Sequence, residues 1–166
     1  MEIEKLSLEE VGQILYLRSG LLGVSGIAPE PRVIVRHEAE PGERGERGER
    51  ARLALALYVH RIVREIGALA ATLGGLDALI FTAGVGEHCA FVRERVCREL
   101  AFLGLQVDEM ANAADAFVIS TPRSRVLVGV APTNEEWIAA RDARPLLGGM
   151  GAGRSLFSDK SSADTD

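Results

Sequence analysis

The sequence predicts an α/β fold, a mixed β-sheet flanked by helices, and three observations predict it. A long alanine-rich segment repeats apolar residues at helical spacing; a short, continuous apolar run follows it across a glycine pair; a second helical pattern starts just beyond two further glycines. An apolar run of that length between turn residues reads as a strand covered on both faces. With 166 residues, 47% of them hydrophobic, the chain has material for one core. One domain is expected over residues 1–147, with 148–166 as a tail.

Taken in order, Ser7 and Glu10 have the spacing of a capping box, and Val11, Ile14 and Leu15 keep helical period after them, so a short helix is expected to about Arg18. "SGLLGVSGIAPEPR", Ser19 to Arg32, reads as a glycine- and proline-punctuated loop, apolar enough to pack against the body. "PGERGERGER", Pro41 to Arg50, carries three copies of Gly-Glu-Arg, too short for a collagen-type repeat, and reads as a solvated loop or helix lead-in. The strongest helical signal runs through Leu53, Leu57, Ile62, Val63, Ile66, Leu69 and Leu73, with Gly74 and Gly75 as its C-terminal stop.

"LDALIFTAG" is the expected buried strand. The next helix is expected to line one face with Val92, Val96, Leu100 and Leu103, to turn Arg93, Glu94, Arg98 and Glu99 toward water, and to end at Gly104. "AFVIS" and "RVLVGVA" read as two more strands. "PTNEEWIAARDAR" reads as a helix entered through Thr133 or Asn134, and the glycine-, serine- and aspartate-rich remainder as a disordered tail.

A net charge of -5 gives no electrostatic footprint for nucleic acid or an anionic membrane. No apolar run reaches the roughly 20 residues of a membrane span, and the N-terminus has no signal-peptide pattern, so cytoplasmic residence is the default expectation. Cys89 and Cys97, eight apart in one expected helix, fit neither a redox pair nor a zinc site and are expected as free thiols. His60 is expected as a packed or capping side chain, His37 as solvated in a loop, and Trp137 as core or interface.

Two strand-to-helix junctions place polar groups where a ligand could meet them. In "DALIFTAGVGEHCAFVRERV", Asp77 to Val96, Gly84 and Gly86 let the backbone turn and approach a ligand, and the following helix offers free N–H groups, a recipe for holding phosphate. The same glycines also suit a plain tight turn. The dinucleotide fingerprint fails at its third glycine, where Cys89 stands, which argues against a flavin or nicotinamide Rossmann domain, and no Gly-Lys-Ser/Thr phosphate loop occurs. At "VAPTNEEW" two readings stand as well. Thr133 and Glu136 fit a capping box, whereas Glu135, at a strand's C-terminal end, could hold Mg²⁺.

In order, "SGLLGVSGIAPEPR", "YVHRIVREIGALAATLGGLDALIFTAGVGEH", "VRERVCRELAFLGLQVD" and "PTNEEWIAARDA" resemble the C-terminal half of the acetate kinases, over nearly everything from Ser7 to Ala143. The resemblance implies the RNase H-like fold of actin-like ATPases, a homodimer, ATP or ADP with Mg²⁺ as cofactors, and phosphoryl transfer from ATP to acetate. The family's second nucleotide motif falls on Gly84, Val85, Gly86, Glu87 and His88, with His88 at a position where Asn is commoner. Its Mg²⁺-site glutamate falls on Glu135. Its adenosine-contacting tripeptide falls on Glu30, Pro31 and Arg32, departing from the usual Asp and Phe or Met at the first two positions.

The family's phosphate loop, acetate pocket and the arginines and histidines that stabilise the transferring phosphoryl lie in the N-terminal half, so the resemblance places no catalytic residue in this chain. It implies one lobe, inactive alone and completed by a separate N-terminal lobe. A propionate kinase of the same family and a non-catalytic nucleotide-binding or dimerisation module are the alternatives.

Overall fold

A computed structural model describes residues 6–39 and 45–148. The first copy of the Gly-Glu-Arg repeat and the expected tail beyond Gly148 therefore lie outside the described residues. The chain divides into two units, residues 1–132 and 133–166.

The first unit begins with α1, Leu8–Leu17, whose capping box forms as its spacing predicts: the Glu10 N–H donates to Ser7 Oγ at 3.2 Å and the Ser7 N–H donates to Glu10 Oε2 at 2.7 Å. Where a loop was expected, two short helices follow. α2, Gly20–Ser25, ends at Gly26, whose φ of 65° is the left-handed conformation that glycine adopts without a Cβ penalty. Arg50 donates to the carbonyls of Val24 and Gly23 at 3.1 and 3.3 Å, satisfying acceptors that the end of α2 leaves open. α3, Pro31–Ala39, starts on a proline, whose missing N–H costs nothing at a first helical position. That start places His37 within α3, half-buried, rather than in the solvated loop expected for it.

The long helix forms as α4, Glu46–Leu73, so the second and third Gly-Glu-Arg copies open it, from Gly45 at its N-cap, and Gly74 (φ 77°) caps its C-terminus. Its two halves serve different cores. Near the start, Ala51, Ala54 and Leu55 pack with Ile34 and with partly buried Leu21 and Val24, the alanines letting α2 and α3 come close. Further along, Val59 joins a larger core with Phe81, Val92, Val96, Leu100, Ile119 and Val128, against which Ile62 and Ile66 also pack.

β1, Ala78–Phe81, pairs in parallel with β2, Leu127–Val130, with Ala78 opposite Leu127 and Phe81 opposite Val130. These form the sheet among the described residues. β1 is less buried than expected: Phe81 is enclosed, but Ile80 is 45% exposed. Between the strands run α5 (Ala83–His88), α6 (Ala90–Glu99), a 3₁₀ turn at Ala101–Leu103 and α7 (Glu109–Ala113). Gly104 (φ 98°) ends the 3₁₀ turn rather than α6 itself. "AFVIS" does not make a full strand and contributes single antiparallel bridges, Val118 to Gly129 and Ser120 to Val107.

In the second unit, α8 spans Glu135–Gly148. Its N-terminus is capped by Asn134, whose Oδ1 accepts the Trp137 N–H at 2.7 Å, one register later than the Thr133–Glu136 spacing suggested. Trp137, expected in core or interface, is 58% exposed, with the Arg141 guanidinium 5.4 Å from its ring centroid.

Candidate functional site

The junction that follows β1 is bent at a residue other than the one its glycines suggest. Thr82 is still extended (φ -148°), and the next residue, Ala83, takes φ 59° and turns the chain into α5. Left-handed backbone costs a residue with a Cβ roughly 1–2 kcal/mol, so this is a strained position held by its surroundings. The two glycines do different things. A Cβ on Gly86 would sit 3.2 Å from the Phe81 carbonyl carbon, so Gly86 lets α5 fold tightly back on the end of β1. A Cβ on Gly84 would meet nothing within 4 Å, so Gly84 faces open space.

That open space is a groove of about 650 Å³ between α4 and the β1–α5 junction, lined among others by Tyr58, Ile62, Ile66, Ile80 and Gly84. Its wall is chiefly apolar. Burial raises the Tyr58 hydroxyl above its ordinary pKa, with a smaller contribution from Cys89. At the end of α5, His88 is exposed, and its Nε2 stands 4.0 Å from Glu87 Oε2.

Behind the loop lies Arg93, which the sequence pattern assigns to the polar face of α6. It is fully buried instead. Nη1 donates to the carbonyls of Gly86 and Glu87, both at 2.8 Å; Nε donates to Asn112 Oδ1 at 2.7 Å; Nη2 donates to the Asn112 carbonyl at 2.6 Å and to Asp115 Oδ1. A guanidinium carries five N–H donors, and these contacts use every one. Sequence held a signal for this: position 93 shares a helical stripe with Cys89, Val96, Cys97 and Leu100, all buried.

Of the other residues singled out by sequence, Glu30, Pro31 and Arg32 form the start of α3. Pro31 is buried, while Glu30 and Arg32 are exposed and stand 3.8 Å apart as an ion pair. α3 reaches the element that follows the loop at its other end, where Arg95 donates to Glu38 at 2.9 Å, about 9 Å along the helix axis from Arg32. Glu135 opens α8 in the second unit. Cys89 and Cys97 are free and buried, although Cys89 sits between α5 and α6 rather than inside one helix. His60 is exposed on α4, within the helix, where a packed or capping side chain is expected. Among the described residues no group of three His, Cys, Asp or Glu side chains gathers to hold a metal, and no helix is long and apolar enough to cross a membrane.

Comparison with known proteins gives one consistent result. The sequence pattern of the acetokinase family matches residues 1–141. Acetate kinase of Pseudothermotoga lettingae is 43% identical over 144 residues, which cover 86% of this chain and 34% of that protein. An acetate kinase of Rhodopseudomonas palustris is 42% identical over 151 residues, covering 90% and 36%. Among solved structures, Porphyromonas gingivalis acetate kinase superposes with a TM-score of 0.72 at 38% identity, covering 87% of this chain and 35% of that one. Entamoeba histolytica acetate kinase gives 0.75 at 34% identity, covering 86% and 38%. A propionate kinase from Francisella tularensis gives 0.71 at 31% identity, covering 82% and 34%. The chain thus spans about a third of the length of the relatives it matches.

Proposed function

The chain belongs to the acetokinase family and has the α/β fold of its solved acetate kinase neighbours, and from that premise we propose that it is the C-terminal, nucleotide-binding lobe of an acetate kinase, spanning residues 1–147. The carrying observation is the junction after β1, where Ala83 turns the chain at φ 59° into the short helix α5, whose Gly84, Val85 and Gly86 line a groove.

In this reading Gly84, Val85, Gly86, Glu87 and His88 contact the nucleotide through their backbone. Gly84 presents no side chain to it, and the apolar wall by Tyr58 and Ile62 excludes water from its apolar parts. Glu30, Pro31 and Arg32 contribute toward adenosine, with Arg32 the stacking or pairing group. The residues lining the groove include no lysine or arginine, so the charge of a bound polyphosphate must be met elsewhere. Glu135, an oxygen donor at a helix start, suits Mg²⁺, which is commonly held by one or two carboxylates plus substrate phosphates. The ion would supply charge neutralisation on the transferring group.

The full reaction forms a bond between an acetate oxygen and the γ-phosphorus and breaks the bond from that phosphorus to the β,γ-bridging oxygen, giving acetyl phosphate and ADP. Such transfer depends on positioning and on neutralising charge around the phosphoryl group. This lobe supplies the nucleotide side of it; the N-terminal lobe of the family supplies the acyl side, and a homodimer forms through this lobe. The alternative reading, the same lobe of a propionate kinase, is supported by the Francisella tularensis neighbour.

Two measurements test the reading. Calorimetric titration with MgADP should show binding that Glu135→Ala weakens; no heat and no rise in melting temperature at millimolar MgADP sinks it. Acetyl phosphate and ADP should give ATP only when the preceding two thirds of the Pseudothermotoga lettingae enzyme is added. Turnover by this chain alone would overturn the one-lobe assignment, and none with the added lobe would favour a non-catalytic nucleotide-binding module.

A further inference from the structure

We propose that Arg93 is a positioning residue: held by Asn112 and Asp115, it fixes the Gly84–His88 segment of α5 from behind, without touching the ligand. The inference rests on the reading of that segment as nucleotide-contacting.

Two residues other than glycine have positive φ among the described ones, Ala83 (59°) and Asp115 (51°). They lie on the two segments that Arg93 ties together. Ala83 begins the turn whose later carbonyls, Gly86 and Glu87, accept from Nη1; Asp115 supplies the carboxylate that accepts from Nη2. Strained backbone persists only where the surroundings over-determine it, and one guanidinium bonds to both of the segments that carry it.

The opposite wall is rigid in its own right. Asn112 is buried, and its Nδ2 donates to the Ala90 carbonyl at 2.9 Å while its Oδ1 accepts from Arg93. Asp115 is held by the end of α7, where the Ala116 N–H donates to the Ala111 carbonyl at 3.0 Å and the Asp115 N–H to the Asn112 carbonyl at 3.2 Å. The guanidinium is therefore placed before it meets the loop. Because the peptide units are trans, turning the Gly86 and Glu87 carbonyls toward Arg93 turns the Glu87 and His88 N–H groups the other way. Arg93 thus holds the C-terminal carbonyls of α5, and with them the last amides of that helix, in one orientation.

A lysine cannot replace this arrangement, since its ammonium is one point with three donors and the acceptors here are five in a planar fork. The test combines amide hydrogen exchange with MgADP calorimetry on wild type, Arg93→Lys and Asp115→Asn. Both variants are expected to speed exchange at residues 84–88 by roughly tenfold, to leave β1 and β2 amides unchanged, and to weaken MgADP by roughly tenfold. Exchange at 84–88 that stays at the wild-type rate in a folded variant overturns the proposal. So does acceleration shared equally by loop and sheet, which would make Arg93 a core residue only. If Arg93→Lys fails to fold, Asp115→Asn decides, since it alters only the half-exposed end of the network. If the wild type binds no MgADP, the nucleotide reading fails, while the exchange contrast still decides the role of Arg93.

Discussion

Arg93, with no solvent exposure, donates to the carboxylate of Asp115, whose side chain is 45% exposed, so a buried cation is neutralised by an anion that water also reaches. Asp115 occupies the left-handed position just past α7, where glycine is the usual residue. Its presence there is explained by the carboxylate. Asp115→Gly removes the backbone penalty with the charge, whereas Asp115→Ala removes the charge and keeps the penalty. Urea unfolding should therefore rank wild type above Asp115→Gly above Asp115→Ala, with Ala about 2–3 kcal/mol below wild type and Gly recovering about 1 kcal/mol of that. Equal stability of the three would mean that Arg93 needs no counter-charge.

The same substitution at the two loop glycines should have opposite effects. Gly86→Ala brings a Cβ within 3.2 Å of the Phe81 backbone, which cannot swing aside, and should cost about 1–2 kcal/mol. Gly84→Ala enters open space within a helical turn and should be neutral to about 1 kcal/mol stabilising. Thermal melts read the sign. If Gly84 faces the nucleotide, Gly84→Ala should also weaken MgADP while melting no lower than wild type, a combination that a purely structural glycine would not give.

Ala83→Gly isolates the strain at the turn. Relief of the left-handed penalty, about 1–2 kcal/mol, exceeds the unfolded-state entropy that glycine adds, about 0.4–1 kcal/mol, so the variant should be about 0.5 kcal/mol more stable. A destabilised Ala83→Gly in urea titration would show that the alanine methyl makes contacts worth more than the strain.

The elements legible in the sequence were those carried by a local signal. Ser7 and Glu10 announce α1, the repeat from Leu53 to Leu73 announces α4, and Gly74 marks its end. Where packing outranked punctuation the reading failed: Gly20–Ser25 and Pro31–Ala39 are helical because the small residues of α4 give them a surface, and a glycine-rich string hides that. At the candidate site, Gly84 and Gly86 are the residues a turn would use, yet the bend belongs to Ala83, whose φ no residue preference would suggest. Arg93 was placed on the solvent face because charge usually is. Its burial depends on five acceptors gathered from the α5 end, Asn112 and Asp115, a condition that only tertiary structure creates.

Alkaline pH should unfold the chain through Cys97 and Tyr58. Burial pushes the Cys97 thiol up to about 12 from 9.0, against an opposing pull from Arg93, and it also raises the Tyr58 hydroxyl. For an acid whose folded pKa is raised, the folded state holds its proton where the unfolded state has lost it, so stability is complete below the unfolded pKa and declines as pH rises from there toward the folded value. For Cys97 that window runs from about 9 to about 12, with a slope of up to about 1.4 kcal/mol per pH unit from this one group. Urea midpoints should hold level from pH 7 to 8.5 and then fall, and Cys97→Ala should flatten the fall while lowering the neutral-pH midpoint through a small cavity. The buried thiol should also resist iodoacetamide at pH 8 until urea exposes it. A Cys97→Ala variant with an undiminished alkaline slope would assign the loss to Tyr58 instead, which Tyr58→Phe would then remove.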